Sequence, residues 1–288
     1  MTGIGAMLRQ TFVQQPEAHQ RLGLARVTTG AAVLRTLWHL PPGEVLHEYA
    51  DQAEPGWRLD ARQYEALRGI AFLSVAAWTL GCEHPAVRLA ANGSFAALQR
   101  HVAHFDQRAW NYNSNLNLAL LLLSTSDTRG SLADPDRAPS TEVASAMLAA
   151  MQLYYAWVYF QSGVAKLVVG GPKWVDGRTV AGSWAELGTP LGRRLARADR
   201  RVAATAGALS LLFELGFPAA LLGLWQRKEL VGAASLAFHA GVKATMDISF
   251  WHHSAFALPL FVLPSKAERV VAAVLRLSPL RSRRGRRR

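Results

Sequence analysis

Long apolar runs separated by short, charge-bearing intervals dominate the 288-residue chain. A helix needs about 20 residues to cross roughly 30 Å of hydrocarbon, so each run can be tested against that length. Eight segments come out, at 22 to 40, 64 to 82, 86 to 105, 115 to 126, 142 to 169, 202 to 225, 230 to 248 and 250 to 263. The first carries Arg26 and Arg35, the third is polar, the fourth is short, and Pro85 separates the second from the third. Residues 142 to 169 form the strongest candidate, about 42 Å long if wholly helical. No long stretch alternates as a strand would, and open sheet edges have no partners in lipid. The pattern predicts an all-α, polytopic integral membrane bundle of about eight transmembrane helices. It occupies residues 22 to 264, between a polar N-terminal segment (1 to 21) and a basic tail (265 to 288).

Composition adds little until the charges are located. Hydrophobic residues make up 50% of the chain and its mean hydropathy is only +0.08, a value diluted by polar connections such as "HEYADQAEPGWRLDARQ". The formal net charge is +12, but six arginines lie between Arg281 and Arg288. Such a cluster after an apolar helix holds anionic headgroups and predicts a cytoplasmic C-terminus in a multi-pass cell-membrane protein. Elsewhere no basic stripe interleaves with aromatics, which argues against a nucleic-acid partner and leaves the lipid bilayer. With the N-terminus inside, "EHPAVR" and "QRKE" also face the cytoplasm, whereas "PLGRRLARADRR" falls outside and reads as an amphipathic helix on the surface. The single cysteine, Cys82, excludes an internal disulfide framework and is expected in the core. The polar start followed by an apolar run without a small-residue cleavage site predicts that the first span is retained.

Ionisable groups at membrane depth are the candidate chemistry. Lys166 lies in "YFQSGVAKLVVGG", one turn before Gly170, where it can snorkel to the interface or act inside the bundle. Glu214 in "LLFELGFPAALL" has apolar neighbours far on both sides and needs either a proton or a partner, for which Lys166, Arg26 and Arg35 are the candidates. His239 in "LAFHAGVK" is also mid-helix. His101 with His104 and His252 with His253 do not make a repeated ligand cluster, so no metal is predicted. Gly-x-Ser-x-Gly is absent, and no serine-hydrolase triad can be assembled.

Two local patterns then join. "YFQSGVAKL" followed by "KWVDG" resembles the Tyr-Phe-x-small-Gly-x-x-Lys-Leu and Trp-x-x-Gly signature of the vitamin K-dependent gamma-carboxylases and of the bacterial horizontally transferred transmembrane (HTTM) domain. "AWNYNSNL" resembles that family's Trp-Asn-x-(His or Asn) element, and "LGLARVTTGAAVL", "FELGFPAALL" and "AFHAG" fall in the family's order, so the resemblance covers about residues 20 to 263.

The resemblance implies a membrane-embedded helical core in which Lys166 is the base that deprotonates a reduced naphthoquinone of the vitamin K or menaquinol type. Asn113, His239 and Glu214 would support it, and Trp110, Asn111, Tyr159 and Trp174 would contact the cofactor. A lysine desolvated among apolar side chains can be a neutral amine and accept a proton. In the carboxylases the deprotonated hydroquinone reacts with oxygen to give a strong base, and carbon dioxide adds to a glutamyl carbon of a secreted peptide or protein. Two departures keep other readings open. Asn113 stands where the carboxylases carry a histidine, and their large substrate-docking region has no counterpart after the last apolar segment. The same resemblance therefore also fits a non-catalytic membrane component for maturation, export or immunity of a secreted peptide, or a quinone-binding electron-transfer partner.

Overall fold

The computed structural model describes residues 3–49, 57–105, 107–126, 128, 139–224, 227–262 and 265. Among these there are twelve α-helices and no strand: α1 (Gly3–Phe12), α2 (Ala18–Trp38), α3 (Gly43–Glu48), α4 (Ala61–Thr79), α5 (Pro85–Ala103), α6 (Gln107–Ser124), α7 (Thr141–Ala165), α8 (Arg178–Leu187), α9 (Pro190–Ala196), α10 (Arg200–Gly223), α11 (Lys228–Met246) and α12 (Trp251–Phe261). Each of the eight apolar segments falls on a helix, but the last of these, α12, has only 11 residues, and α6 begins eight residues before its expected start. The arginine-bearing connection predicted to lie on the surface contains α9. Apart from Ser265, the basic tail lies outside the described residues.

Local chemistry sets the boundaries. α4 opens on a capping box in which Asp60 Oδ1 accepts the Gln63 N–H at 2.8 Å and Gln63 Oε1 accepts the Asp60 N–H at 3.1 Å. Pro85 begins α5, where its missing N–H costs nothing. Ser140 and Asp199 cap α7 and α10 through the Val143 and Arg201 amides.

α2 and α7 lie at the centre. α2 packs on α4, α6, α7 and α12, and α7 packs along α10. Leu22, Val33 and Leu37 of α2, Trp78 of α4, Phe95 of α5, Leu120 of α6, Leu148 of α7, Phe217 of α10 and Phe261 of α12 meet in one core. A second, small cluster of Val180, Trp184 and Ala203 seats α8 on α10.

Arg21 and Arg26 find partners inside the bundle, whereas Arg35 is exposed. Arg21 is fully buried and donates to the carbonyls of Pro259 and Leu260, capping the end of α12, and to Gln15 Oε1. Arg26 pairs with buried Glu83 at 3.5 Å, and the same carboxylate accepts the Thr128 amide and hydroxyl at 3.0 Å each. Arg35 lies 4.6 Å from the centre of the Trp251 ring. Cys82, expected in the core, is instead exposed, because it sits in the turn where the chain leaves α4 after Gly81, whose φ is 104°.

Candidate active site on the face of α7 that carries Lys166

Tyr155, Tyr159, Ser162 and Lys166 recur every three or four residues, which puts them on one face of α7. That face meets α10, whose Glu214 lies about 21 Å along a helix about 36 Å long. The regular α-helix stops at Ala165, and Lys166–Gly170 wind as a single π-helical turn before a short 3-10 turn over Gly171–Lys173. Such turns recur at functional positions because they widen the helix and redirect a side chain.

Lys166 Nζ donates to Glu214 Oε1, and Ser162 Oγ donates to the same oxygen at 3.2 Å. Glu214 is almost fully buried and Lys166 is one-fifth exposed, with side-chain exposures of 4% and 20%. The indole of Trp174 lies 5.0 Å from Nζ, giving the ammonium an aromatic face beside its carboxylate partner. Lys166 is therefore held in a pair within the bundle rather than extended alone to the interface. Of the three partners open to Glu214, Arg26 and Arg35 are engaged elsewhere. Gly163 makes the pair possible: a β-carbon there would stand 2.9 Å from the Leu215 side chain and 3.1 Å from Glu214 Cβ, so any larger residue would separate α7 from α10. The second carboxylate oxygen, Glu214 Oε2, is buried with no hydrogen-bond partner.

"KWVDG" closes the site from above. Gly177 adopts φ 81° with its α-carbon packed on Arg200 and Ala204, a conformation and a contact that together admit glycine alone. Asp176 accepts the Arg178 side chain at 2.7 Å and the Arg178 amide at 2.9 Å and pairs with Arg200 at 3.4 Å. The Arg178 side chain first, then the Arg178 backbone amide, hold the Asp176 carboxyl down to about 2. Its contacts are therefore complete above the ordinary carboxylate range and are lost only as pH falls through about 2.

Toward α11 the same face of α7 continues as a hydrogen-bonded chain. His239 Nε2 lies 2.6 Å from Tyr159 Oη, Tyr159 Oη 2.7 Å from Ser235 Oγ, Ser235 Oγ 2.6 Å from Tyr155 Oη, and Tyr155 donates to the His253 carbonyl at 3.1 Å. One assignment satisfies all four links: His239 donates to Tyr159, Tyr159 to Ser235, Ser235 to Tyr155, and Tyr155 to the carbonyl. It leaves His239 Nδ1 as a buried acceptor without a partner. Tyr159 also stacks on Phe217 at 4.4 Å and meets Phe213 edge-on at 5.1 Å.

The structure thus brings together Lys166, Glu214 and Trp174, and sets Tyr159 and His239 further along the same face. Trp110, Asn111 and Asn113 fall in the first half of α6, whose side chains lie outside the described residues. Asn115, two residues on, contacts His253 Nε2 at 2.9 Å, and Tyr154 donates to its amide oxygen. Sequence reasoning missed Tyr155, Ser235 and Asn115, and weighed His253 only as a metal ligand. Tyr155 had a readable signal, four residues before Tyr159 on the same helical face, whereas Ser235 becomes visible only when α11 is docked. Replacing Tyr159 by phenylalanine keeps the ring stack and the Ser235–Tyr155 bond but leaves the His239 Nε2–H without its acceptor, which is expected to cost about 1–3 kcal/mol. Thermal unfolding in a lipid nanodisc reads this directly, and an unchanged midpoint would remove the chain of hydrogen bonds.

Set against known proteins, the chain matches no family model, no curated protein and no solved structure. Two helices among the described residues, Thr141–Lys173 and Arg200–Gly223, are long and apolar enough to cross a membrane.

Proposed function

We propose that the chain is a multi-pass membrane protein of the HTTM type, similar to the membrane core of the vitamin K-dependent gamma-carboxylases, in which Lys166 is a proton acceptor. The membrane reading is supported by the surface of α10. Only 28% of its most apolar stretch is buried, and Leu209, Leu212 and Leu222 point outward, with Leu212 70% exposed. The core helix of a soluble protein would bury such residues. Thr141–Lys173 is the second helix among the described residues with the length and apolarity of a span.

The observation that carries the chemical reading is the closed trio of Lys166, Glu214 and Ser162 at membrane depth. Transfer of a proton from Nζ to Oε1 would leave a neutral amine beside a neutral acid. The amine can then accept a proton from an acidic hydroxyl, while Ser162 holds Oε1 in place. Glu214 Oε2 and His239 Nδ1 are buried acceptors without partners, and the surrounding side chains are aromatic. In this reading the hydroxyls of an aromatic diol such as a reduced naphthoquinone would donate to these acceptors. Trp174, Tyr159 and His239 are the residues that would hold it. When bound, that group supplies the electrons with which oxygen is activated as a base.

A second reading draws on the same pair. Because Lys166 is paired with Glu214 across two helices, it also serves as a latch between α7 and α10, which suits a non-catalytic membrane component for maturation, export or immunity of a secreted peptide.

One preparation tests both levels. The protein should stay in the membrane pellet through high-salt and carbonate washing, and the membranes should oxidise a reduced naphthoquinone in the presence of oxygen faster than membranes without it. Release into the supernatant would overturn the membrane class. Retention without turnover would favour the latch.

A further inference from the structure

The residues between Lys173 and Arg201 are used only in part by the site. They carry seven cationic side chains against three acidic ones. Arg178 and Arg200 are engaged with Asp176. Arg193, Arg194, Arg197 and Arg201 are exposed, and among the described residues none lies in an ion pair.

Their position in the fold is fixed by three helix ends. α7 finishes and α10 begins at this level, and α9 is locked onto the end of α11: the Thr189 amide donates to the Thr245 carbonyl at 3.0 Å, and Gly192 packs so closely that a β-carbon would come within 2.0 Å of that oxygen. With α9 held on that side, Arg194 and Arg197 remain outward, and Arg193, also exposed, donates from one guanidinium nitrogen to the Gly188 carbonyl. Exposed apolar side chains stand at the same level: Val168 and Val169 of the π turn, the latter 87% exposed, with Leu187 and Leu191. Cationic heads beside outward apolar residues, at the ends of membrane-length helices, match the layer where phospholipid phosphates meet acyl chains.

We infer that Arg193, Arg194, Arg197 and Arg201 form a binding surface for anionic phospholipid headgroups, a step that rests on the membrane reading above but not on the chemistry of Lys166. The apolar residues favour lipid over a soluble anion, because free phosphate has no use for Val168, Val169 or Leu191. An arginine near a charged membrane surface changes partitioning by about fivefold.

The test uses the full chain, first shown to remain in the carbonate-washed pellet so that failure of the membrane reading is seen separately. Purified protein is then placed in nanodiscs of phosphatidylcholine with increasing phosphatidylglycerol, and thermal stabilisation is titrated beside the variant carrying Arg193→Gln, Arg194→Gln, Arg197→Gln and Arg201→Gln. Because the C-terminal arginines are present in both proteins, their contribution cancels in the comparison. The expected result is stabilisation of the parent by phosphatidylglycerol, with apparent affinity weakened about fivefold per arginine replaced. Equal responses of parent and variant would overturn the proposal, as would equal stabilisation by phosphatidylcholine and phosphatidylglycerol. Inorganic phosphate added to phosphatidylcholine discs should have no effect, and stabilisation by it would overturn the lipid assignment. If the quadruple variant fails to accumulate, the pair Arg194→Gln and Arg197→Gln carries the same comparison.

Discussion

Glu214→Leu is expected to destabilise the protein by about 3–5 kcal/mol, because it leaves the Lys166 ammonium facing apolar side chains with its carboxylate gone. Glu214→Gln should lose much less. Its amide oxygen can still accept from Lys166 and Ser162, though without a charge. The decisive comparison is the double variant Lys166→Met with Glu214→Leu. Removing both members replaces a buried pair by two apolar side chains of similar length, which often restores or exceeds parental stability. Thermal unfolding of the four proteins in identical nanodiscs closes a double-mutant cycle, and the coupling measures the pair alone. A Glu214→Leu protein as stable as the parent would show that the pair is not formed at depth.

The fold was largely legible because its signal is a length. Each apolar segment from 22 to 40 onward marks a helix by its run of apolar residues, a property that survives errors of a few positions, while among the described residues two of these helices have the length and apolarity to cross a bilayer. What could not be read was where a polar side chain finds its partner. Arg26 looked like an interruption of a span, yet Glu83, from the turn before Pro85, satisfies it. Cys82 lies one residue before that buried acid and is exposed, a difference set by the direction of one turn. The candidate site was legible in a similar, partial way. Lys166, Glu214, His239 and Trp174 stand out as polar or aromatic residues with no evident business in their surroundings. Their pairing depends on Gly163, which in sequence is one small residue among many and in space is the reason α10 comes within reach of Lys166.

Lys166→Arg is the substitution that separates a proton acceptor from a latch. Arginine keeps the positive charge, reaches as far, and offers Glu214 a fork of donors, so the variant should insert and fold close to the parent. Guanidinium remains protonated at any relevant pH and cannot take a proton from a hydroxyl. If Lys166 is the base, oxidation of a reduced naphthoquinone under oxygen should fall by about 100- to 10,000-fold, the range that one positioned acid–base group contributes. Lys166→Met should be equally inactive, and if it folds with Glu214 uncharged the loss cannot be blamed on misassembly. Glu214→Gln adds a graded arm. It preserves the hydrogen bond but cannot receive the lysine's proton, so turnover should drop although the protein stays folded. Parent-level turnover in the arginine variant would remove the proton-accepting role and leave the Lys166–Glu214 contact as a clamp between α7 and α10.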